Sequence, residues 1–261
     1  MRERRFFVKN EDIKGNTALL SSRESHHLKD VLNLKKGDSI IVFNGEGQEF
    51  EGKIASLSGR VGVLIERKRR IRPLDMISVC LAQSLPKKKK MDFIIAKACE
   101  LGVAEVFPLE TERASFKLAG PVAQHVLERW EKIAVQTCKQ SHLDWIPRLH
   151  KPIKLKDLLQ KAKEFRAVLI PHTDTNLPKL SDTINTIKNR IKNESQVQRV
   201  QSEAKTRKVL IVIGPEGGFS EKEVALAKER GAYLVQLGDL VLKTETAAVV
   251  GIALVKYAFN L

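Results

Sequence analysis

The chain has 261 residues, 43% of them hydrophobic, and carries a formal net charge of +15 with an isoelectric point near 9.8. That length and apolar content exclude a disordered tail and leave room for one large domain or two smaller ones, each with its own core. The charge points to a polyanionic partner (RNA, DNA or anionic lipid), or else to a basic surface that serves solubility alone.

The start, Met1-Arg2-Glu3-Arg4-Arg5, is basic, but no apolar signal core follows it. Next, "SRESHHLKDVLNLKKGD" (residues 22–38) predicts a short helix and then a Lys-Gly-Asp turn. "SIIVFNGEGQEFEGKI" (39–54) has strand-like runs on either side of Asn44-Gly45-Glu46-Gly47, a hairpin signal. "RVGVLIERKRR" (60–70) is a further strand running into the basic cluster Arg67-Lys68-Arg69-Arg70 with Arg72. Short strands and turns of this kind predict a small β-barrel over residues 1–72, with Pro73 at the boundary.

Beyond Pro73 the rhythm becomes strand, helix, strand. "MISVCLAQSL" (76–85) is an apolar strand, and Lys87-Lys88-Lys89-Lys90 opens a helix whose apolar residues recur at helical spacing until Gly102. "AEVFPL" (104–109) is a strand and "PVAQHVLERWEKIAVQTCKQ" (121–140) a long amphipathic helix with Pro121 near its start. "RAVLIP" (166–171) is another strand. Residues 188–208 are polar and poorly periodic, which predicts a mobile surface insertion or, less simply, an RNA-contacting arm. "KVLIVIGPEGGFS" (208–220) is a strand running into a glycine turn. "EKEVALAKERGA" (221–232) is a helix, "YLVQLG" (233–238) a strand, and the apolar run after Lys243-Thr244-Glu245-Thr246 the last helix. This alternation over residues 73–261 predicts a mostly parallel sheet with helices on both faces.

Cys80, Cys99 and Cys138 form no C-x-x-C pair and lie in apolar or helical stretches, as free thiols in a reducing cytoplasm do. The histidines show no metal-ligand spacing, so no metal is expected. The uncharged run between Glu245 and Lys256 is ten residues, too short for a bilayer, so a soluble, cytoplasmic protein is expected.

Two glycine-bearing loops follow buried strands: Gly214-Pro215-Glu216-Gly217-Gly218-Phe219-Ser220 and Leu237-Gly238-Asp239-Leu240-Val241-Leu242. In open α/β sheets, ligands sit beyond the carboxyl ends of strands, and glycine lets backbone approach them. Neither G-x-x-x-x-G-K-[ST] nor G-x-G-x-x-G is present, and Ser220 with Glu223 reads as a capping box whose acids would repel phosphate. An adenosine-type ligand held by backbone fits better than a nucleotide phosphate.

These loops, with "RRFFV" (4–8), "HHLKDVLNLKKGD" (26–38), "ACELGVAEVFPLETERA" (98–114) and "RWEKIAVQTCKQS" (129–141), resemble the SPOUT (trefoil-knot) methyltransferases that methylate N3 of a uridine in small-subunit (16S) ribosomal RNA. The resemblance spans the chain. It implies a PUA-like RNA-binding β-barrel (1–72) and a knotted, S-adenosylmethionine-binding α/β domain (73–261) that forms a homodimer, with ribosomal RNA as partner. It places the donor against Leu169, Ile170, Pro171 and His172, against Ile213, Gly214, Pro215, Glu216, Gly217 and Gly218, and against Leu237, Gly238, Leu242 and Thr244. Thr244, Glu245 and Thr246 would open the last helix with their hydroxyls and free amides toward that pocket.

Lys243 is the candidate to stabilise the deprotonated base or its phosphate, and Glu216 is either a general base or a residue that orders its own loop. RNA binding is assigned to Arg4, Arg5, Arg67, Lys68, Arg69, Arg70, Arg72, Lys87, Lys88, Lys89 and Lys90. Several positions depart from the family pattern: Asp239 stands for proline, Leu240 and Lys243 for arginines, Lys139, His142 and Leu143 for Glu, Gly and Arg, and Asn33 for arginine. These departures bear on the RNA target, so a methyltransferase of another RNA and a non-catalytic RNA-binding or ribosome-assembly factor are the competing functions.

Overall fold

The computed structural model describes residues 4–69, 77–118, 120–197 and 207–260. The chain forms two compact units, Met1–Leu74 with Ala134–Ile146, and Asp75–Ile133 with Pro147–Leu261.

The first unit is a six-stranded sheet built from β1 (Arg5–Phe7), β2 (Ile13–Lys14), β3 (Thr17–Leu19), β4 (Ser39–Phe43), β5 (Glu49–Ser56) and β6 (Gly62–Lys68), in the order β1-β4-β5-β6-β3-β2. Only β1 runs parallel to its neighbour. Alternation does the sorting: along β5, Phe50, Gly52 and Ile54 face inward while Lys53 faces water. Phe6, Leu28, Val42, Phe50, Ile54 and Val63 close one core. The expected hairpin turn joins β4 to β5, with Gly45 at φ +74° and Gly47 at φ +86°. A Cβ on Gly47 would collide with the Trp145 ring.

The short helix α1 (Ser22–His26) is capped by the Ser21 side chain and continues as a π-turn through Val31. Asn33 follows at φ +50°, a left-handed conformation that asparagine tolerates and arginine does not favour.

The second unit holds a seven-stranded parallel sheet of β7 (Ser78–Ser84), β8 (Glu105–Glu110), β9 (Arg148–Leu149), β10 (Ile153–Lys154), β11 (Ala167–Pro171), β12 (Lys208–Ile213) and β13 (Tyr233–Val235). The order is β10-β8-β7-β12-β11-β13, with β9 also on β8, so β12 is inserted between two strands made earlier in the chain. The helices are α2 (Lys88–Glu100), α3 (Gly120–Gln140), whose residues from Ala134 onward belong to the first unit, α4 (Leu155–Gln160), α5 (Leu180–Val197), α6 (Glu221–Glu229) and α7 (Thr244–Asn260). Strands β7 and β12 are buried almost end to end, as befits a sheet covered on both faces. Ser220 caps α6 in the anticipated capping box with Glu223.

One expectation fails. Residues 188–197 are not a loose insertion but the second half of α5, which buries Leu180, Ile184 and Ile187; residues 198–206 lie outside the described residues. The apolar stripe at 180–187 starts the helix, and the polar stretch merely prolongs it. All three cysteines are buried thiols, and burial pushes the Cys80 thiol up to about 12, which leaves it inert. Among the described residues no helix is long and apolar enough to cross a membrane.

At the amino end of the sheet, Glu105 accepts from Lys208 Nζ at 2.5 Å and meets His150 Nε2 at 2.6 Å, joining the starts of β8 and β12 to the turn after β9. The His150 hydrogen bond outweighs burial and, with Lys208, holds the Glu105 carboxyl at about 2 instead of 4.5. A depressed carboxyl stabilises the fold above its unfolded value and loses that contribution as pH falls through its folded one. Glu105→Gln should therefore cost about 1–2 kcal/mol at pH 7. In urea titrations the gap between the two proteins should narrow by roughly half between pH 5 and pH 3.

Candidate functional site

Three adjacent parallel strands, β12, β11 and β13, end side by side, and their following loops enclose a cleft of about 720 Å³. Its lining comprises Ile213–Phe219 after β12, Pro171, His172, Thr173 and Thr175 after β11, and Gln236–Glu245 after β13. The two glycine loops picked out in the sequence thus face a single hollow at the carboxyl ends of the sheet.

The loops are tied together by polar contacts. The buried Thr244 hydroxyl donates to the Gly214 carbonyl at 2.8 Å and accepts from Gln83 Nε2 at 3.0 Å. This fixes the start of α7 against the first loop and against β7. Gln236 Nε2 donates to the carbonyls of Asp174 and Thr175, fastening the loop after β13 to the loop after β11. Arg113 Nη1 donates to the Gly217 carbonyl at 2.8 Å, and Gly218 sits at φ +70°, a conformation open to glycine at little cost.

Charge is concentrated at the rim. Lys90 Nζ lies 3.1 Å from Glu216 Oε1 and 3.2 Å from Glu245 Oε2, and the hydrogen bonds to Glu216 and Glu245 raise its pKa. Burial alone would raise the Glu216 carboxyl, but its own backbone amide, Lys90 and Ser115 Oγ at 3.1 Å hold it below the usual carboxylate range. Glu245 is held low as well, first by its own backbone amide at the head of α7 and then by Lys90. Lys243 is exposed on the same wall. Leu240 and Val241, 81% and 80% exposed, give that wall an apolar face open to solvent.

Pro171, His172, Ile213, Gly214, Pro215, Glu216, Gly217, Gly218, Leu237, Gly238, Leu242, Lys243 and Thr244 all line the cleft. Leu169 and Ile170 do not: they lie inside β11, Leu169 paired with both neighbouring strands and Ile170 with β13, and are buried at 0% and 1% exposure. Thr246 is exposed and outside the lining, two residues on and so on roughly the opposite side of the helix from Thr244.

The RNA-binding set changes more. Arg5 is enclosed, its guanidinium bound to Cys138 O, Asp144 and Glu49 and laid over the Phe43 ring, so it is a core strut and meets no RNA. Arg67 makes a two-pronged pair with Glu51, and Arg69 pairs with Glu49 and Glu51, so a phosphate there would have to displace carboxylates. Lys90 belongs to the cleft rim. Arg4, Lys68, Lys87 and Lys89 are exposed; Arg70, Arg72 and the side chain of Lys88 lie outside the described residues.

The sequence reading had not singled out Gln83, Lys90 as a clamp, Arg113 or Ser115 as part of this site. Arg113 and Gly217 are 104 positions apart, and no local periodicity links them. Among the described residues no group of three or more His, Cys, Asp or Glu side chains could hold a metal ion.

Comparisons with known proteins bear on this geometry. A family model described as an RNA methyltransferase domain matches residues 73–256, and one described as an RNA methyltransferase PUA domain matches residues 20–64. The ribosomal RNA small subunit methyltransferase E of Bacillus subtilis (strain 168) is 30% identical over 262 residues, covering 98% of this chain and 97% of its own. The protein of the same name from Mesomycoplasma hyopneumoniae (strain 232) is 31% identical over 245 residues, covering 94% and 95%. Among solved structures, a methyltransferase from Legionella pneumophila in complex with its bound cofactor S-adenosylmethionine matches with a TM-score of 0.82 at 29% identity, covering 99% and 98%. A ribosomal RNA small subunit methyltransferase E from Neisseria gonorrhoeae, bound to S-adenosylmethionine, matches at 0.81 with 26% identity and the same coverage.

Because the Thr244 hydroxyl is buried and engaged twice, Thr244→Val should lower stability by about 1–3 kcal/mol in chemical denaturation. Thr244→Ser, which keeps the hydroxyl, should recover most of that loss.

Proposed function

This chain belongs to the ribosomal RNA small subunit methyltransferase E family, and from that premise we propose that it transfers the methyl group of S-adenosylmethionine to N3 of a uridine in small-subunit (16S) ribosomal RNA. The observation that carries this reading is the convergence of two glycine turns and the β11 loop on one cleft of about 720 Å³. The residues present fit such a donor. Pro171, Leu237 and Leu242 offer apolar surface to an adenosine, Gly218 and Gly238 leave open space beside the backbone of the two turns, and the carboxylates of Glu216 and Glu245 at the rim suit a sulfonium cation.

The donor supplies an electrophilic methyl that needs little activation, so positioning carries much of the rate. The N3 proton of the base must leave, and we assign Lys243 the task of stabilising the resulting negative charge. Glu216 is assigned to the loop: its Oε1 meets Lys90 and its Oε2 accepts from Ser115, which leaves it poorly placed to take a proton. Among the described residues, exposed Arg4, Lys68, Lys87 and Lys89 are the members of the basic set left to meet phosphate.

Two features of the family reading find support in the second unit. The insertion of β12 between β7 and β11 is the kind of order a threaded chain leaves. The packed pair α2 and α7 exposes Phe93, Leu254 and Tyr257, apolar surface that a second copy of the chain would cover.

The test is nucleoside mass spectrometry on small-subunit particles incubated with the purified protein and S-adenosylmethionine. A 3-methyluridine should appear; a different methylated nucleoside would refute the N3 assignment, and no donor binding by calorimetry would refute the reaction. Lys243→Ala should keep donor affinity within about twofold and lower turnover by about 10²-fold. Equal loss of donor affinity would move Lys243 from the target side of the cleft to the donor side.

A further inference from the structure

The second unit carries another large hollow, of about 710 Å³, and it opens at the other end of the same sheet. Its wall is made where strands begin: Glu105 opens β8, Arg148 opens β9, Ile153 opens β10 and Lys208 opens β12. The six residues of β12 separate it from the cleft by roughly 17 Å. Nothing in the proposed methyl transfer uses it.

Two features make this hollow unlike a solvated crevice. The first is an aromatic platform. His150 stacks on Phe107 with ring centroids 3.9 Å apart and planes 12° from parallel, and Phe165 meets Phe107 edge-on at 6.1 Å. The His150 ring edge is pinned by Glu105, and the side chain is still 24% exposed where it borders the hollow. One face is therefore occupied and the orientation set, which is how a stacking surface is prepared in advance.

The second feature is uncompensated charge. Arg148, Lys151 and Lys161 line the hollow, are exposed, and have no carboxylate partner among the described residues. That sets them apart from Arg67, Arg69 and Lys90, each already paired with acids. Of the lining carboxylates, Glu105 is neutralised by Lys208, which leaves Glu164 alone to oppose an anion. A prearranged ring beside several free cations is the combination that holds a base and its phosphate. The volume lies within the range of about 300–1,000 Å³ usual for ligand pockets.

We propose that this hollow binds a nucleotide of a single-stranded RNA segment, its base stacking at His150 and its phosphates meeting Arg148, Lys151 and Lys161. The proposal rests on the RNA substrate assigned above and adds a second anchoring point, remote from the reacting nucleotide.

The test is titration of a fluorescein-labelled single-stranded RNA oligonucleotide, without donor, against the full chain. Arg148→Gln combined with Lys161→Gln should bind at least tenfold more weakly in 0.1 M salt, and the slope of log affinity against log salt should become shallower by about 1.4. His150→Ala should weaken binding severalfold, and His150→Phe should restore it, an outcome that a merely structural role for His150 does not give. Calorimetry with S-adenosylmethionine serves as the folding control, since the cleft lies at the opposite end of the sheet and donor affinity should be unchanged.

Wild-type RNA affinity in the double variant overturns the proposal. So does a hollow that binds uridine monophosphate, lost in the double variant, while RNA affinity stays the same, because the occupant is then a free nucleotide. Wild-type protein that binds RNA with the expected variant pattern but fails to bind donor leaves this anchor standing and removes the methyltransferase reading; donor binding with RNA indifferent to all three positions does the reverse.

Discussion

The cleft depends on one hydroxyl. Thr244 Oγ1 is the point at which three separate pieces of the second unit meet: the first residue of α7, the glycine turn after β12 and the glutamine at the end of β7. A glycine turn has few side chains with which to hold its own shape, and its freedom is a cost unless something external fixes it. Here the fixing is done by bonds to its backbone carbonyls, from Thr244 at Gly214 and from Arg113 at Gly217, with Lys90 and Ser115 holding the Glu216 side chain between them. The backbone facing the hollow is thereby left open for a ligand while its far side is committed. The polar cluster at the head of an apolar helix, odd for a core element, is explained by this: it is a seam between helix and loop, and the rim of a site.

Electrostatics divides the molecule in a way that net charge conceals. A charge of +15 predicts attraction to polyanions but does not say which cations act. The most conspicuous basic cluster in the sequence, at Arg67 and Arg69, is laced to Glu49 and Glu51 across β5 and β6. Exposed pairs of that kind contribute little to stability, so they can exchange partners, but a phosphate gains less by replacing a carboxylate than by meeting a free cation. Arg5 is further removed still, since its buried guanidinium satisfies a carboxylate and backbone carbonyls inside the first unit. The free cations around the β9–β10 turn are the single residues Arg148, Lys151 and Lys161, and they gather only because four strand starts and a helix end meet there.

Much of the fold was legible because it is periodic. Alternation in β5, unbroken apolar runs in β7 and β12, the i, i+3, i+4 spacing in α2, and the Ser220–Glu223 cap all leave a local trace, and the structure honours each. The cleft was legible for another reason: glycine at a strand's carboxyl end is both a local signal and a positional one. What could not be read was contact at long range. Gln83 with Thr244 spans 161 positions and Lys90 with Glu216 spans 126, and neither residue type announces its partner. The short strands β9 and β10, two residues each, fall below any periodic window, and with them went the hollow they frame. The second half of α5 was misread because a polar surface helix and a polar loop share a composition.

The departures from the family pattern at 139–143 take on a different meaning once their surroundings are known. Lys139, half-buried with its side chain 9% exposed, pairs with Glu24 at 2.7 Å and lies over the Phe6 ring at 5.1 Å; a glutamate there would face Glu24 in a poorly solvated space. The substitution therefore belongs to the packing of the first unit, not to an RNA surface. His142 holds φ +54°, the left-handed conformation that a glycine adopts freely and that costs a branched ring some strain, so the backbone shape has been kept while the residue suited to it has not. Leu143 offers its carbonyl to Arg5 at 3.3 Å, a role any residue can fill. None of these three changes reaches the cleft. Those that do are Asp239, Leu240 and Lys243, all on one loop and all lining it. Among the departures, those that line the cleft therefore sit on one loop, where an acid, an apolar residue and one lysine stand where the pattern has proline and arginines.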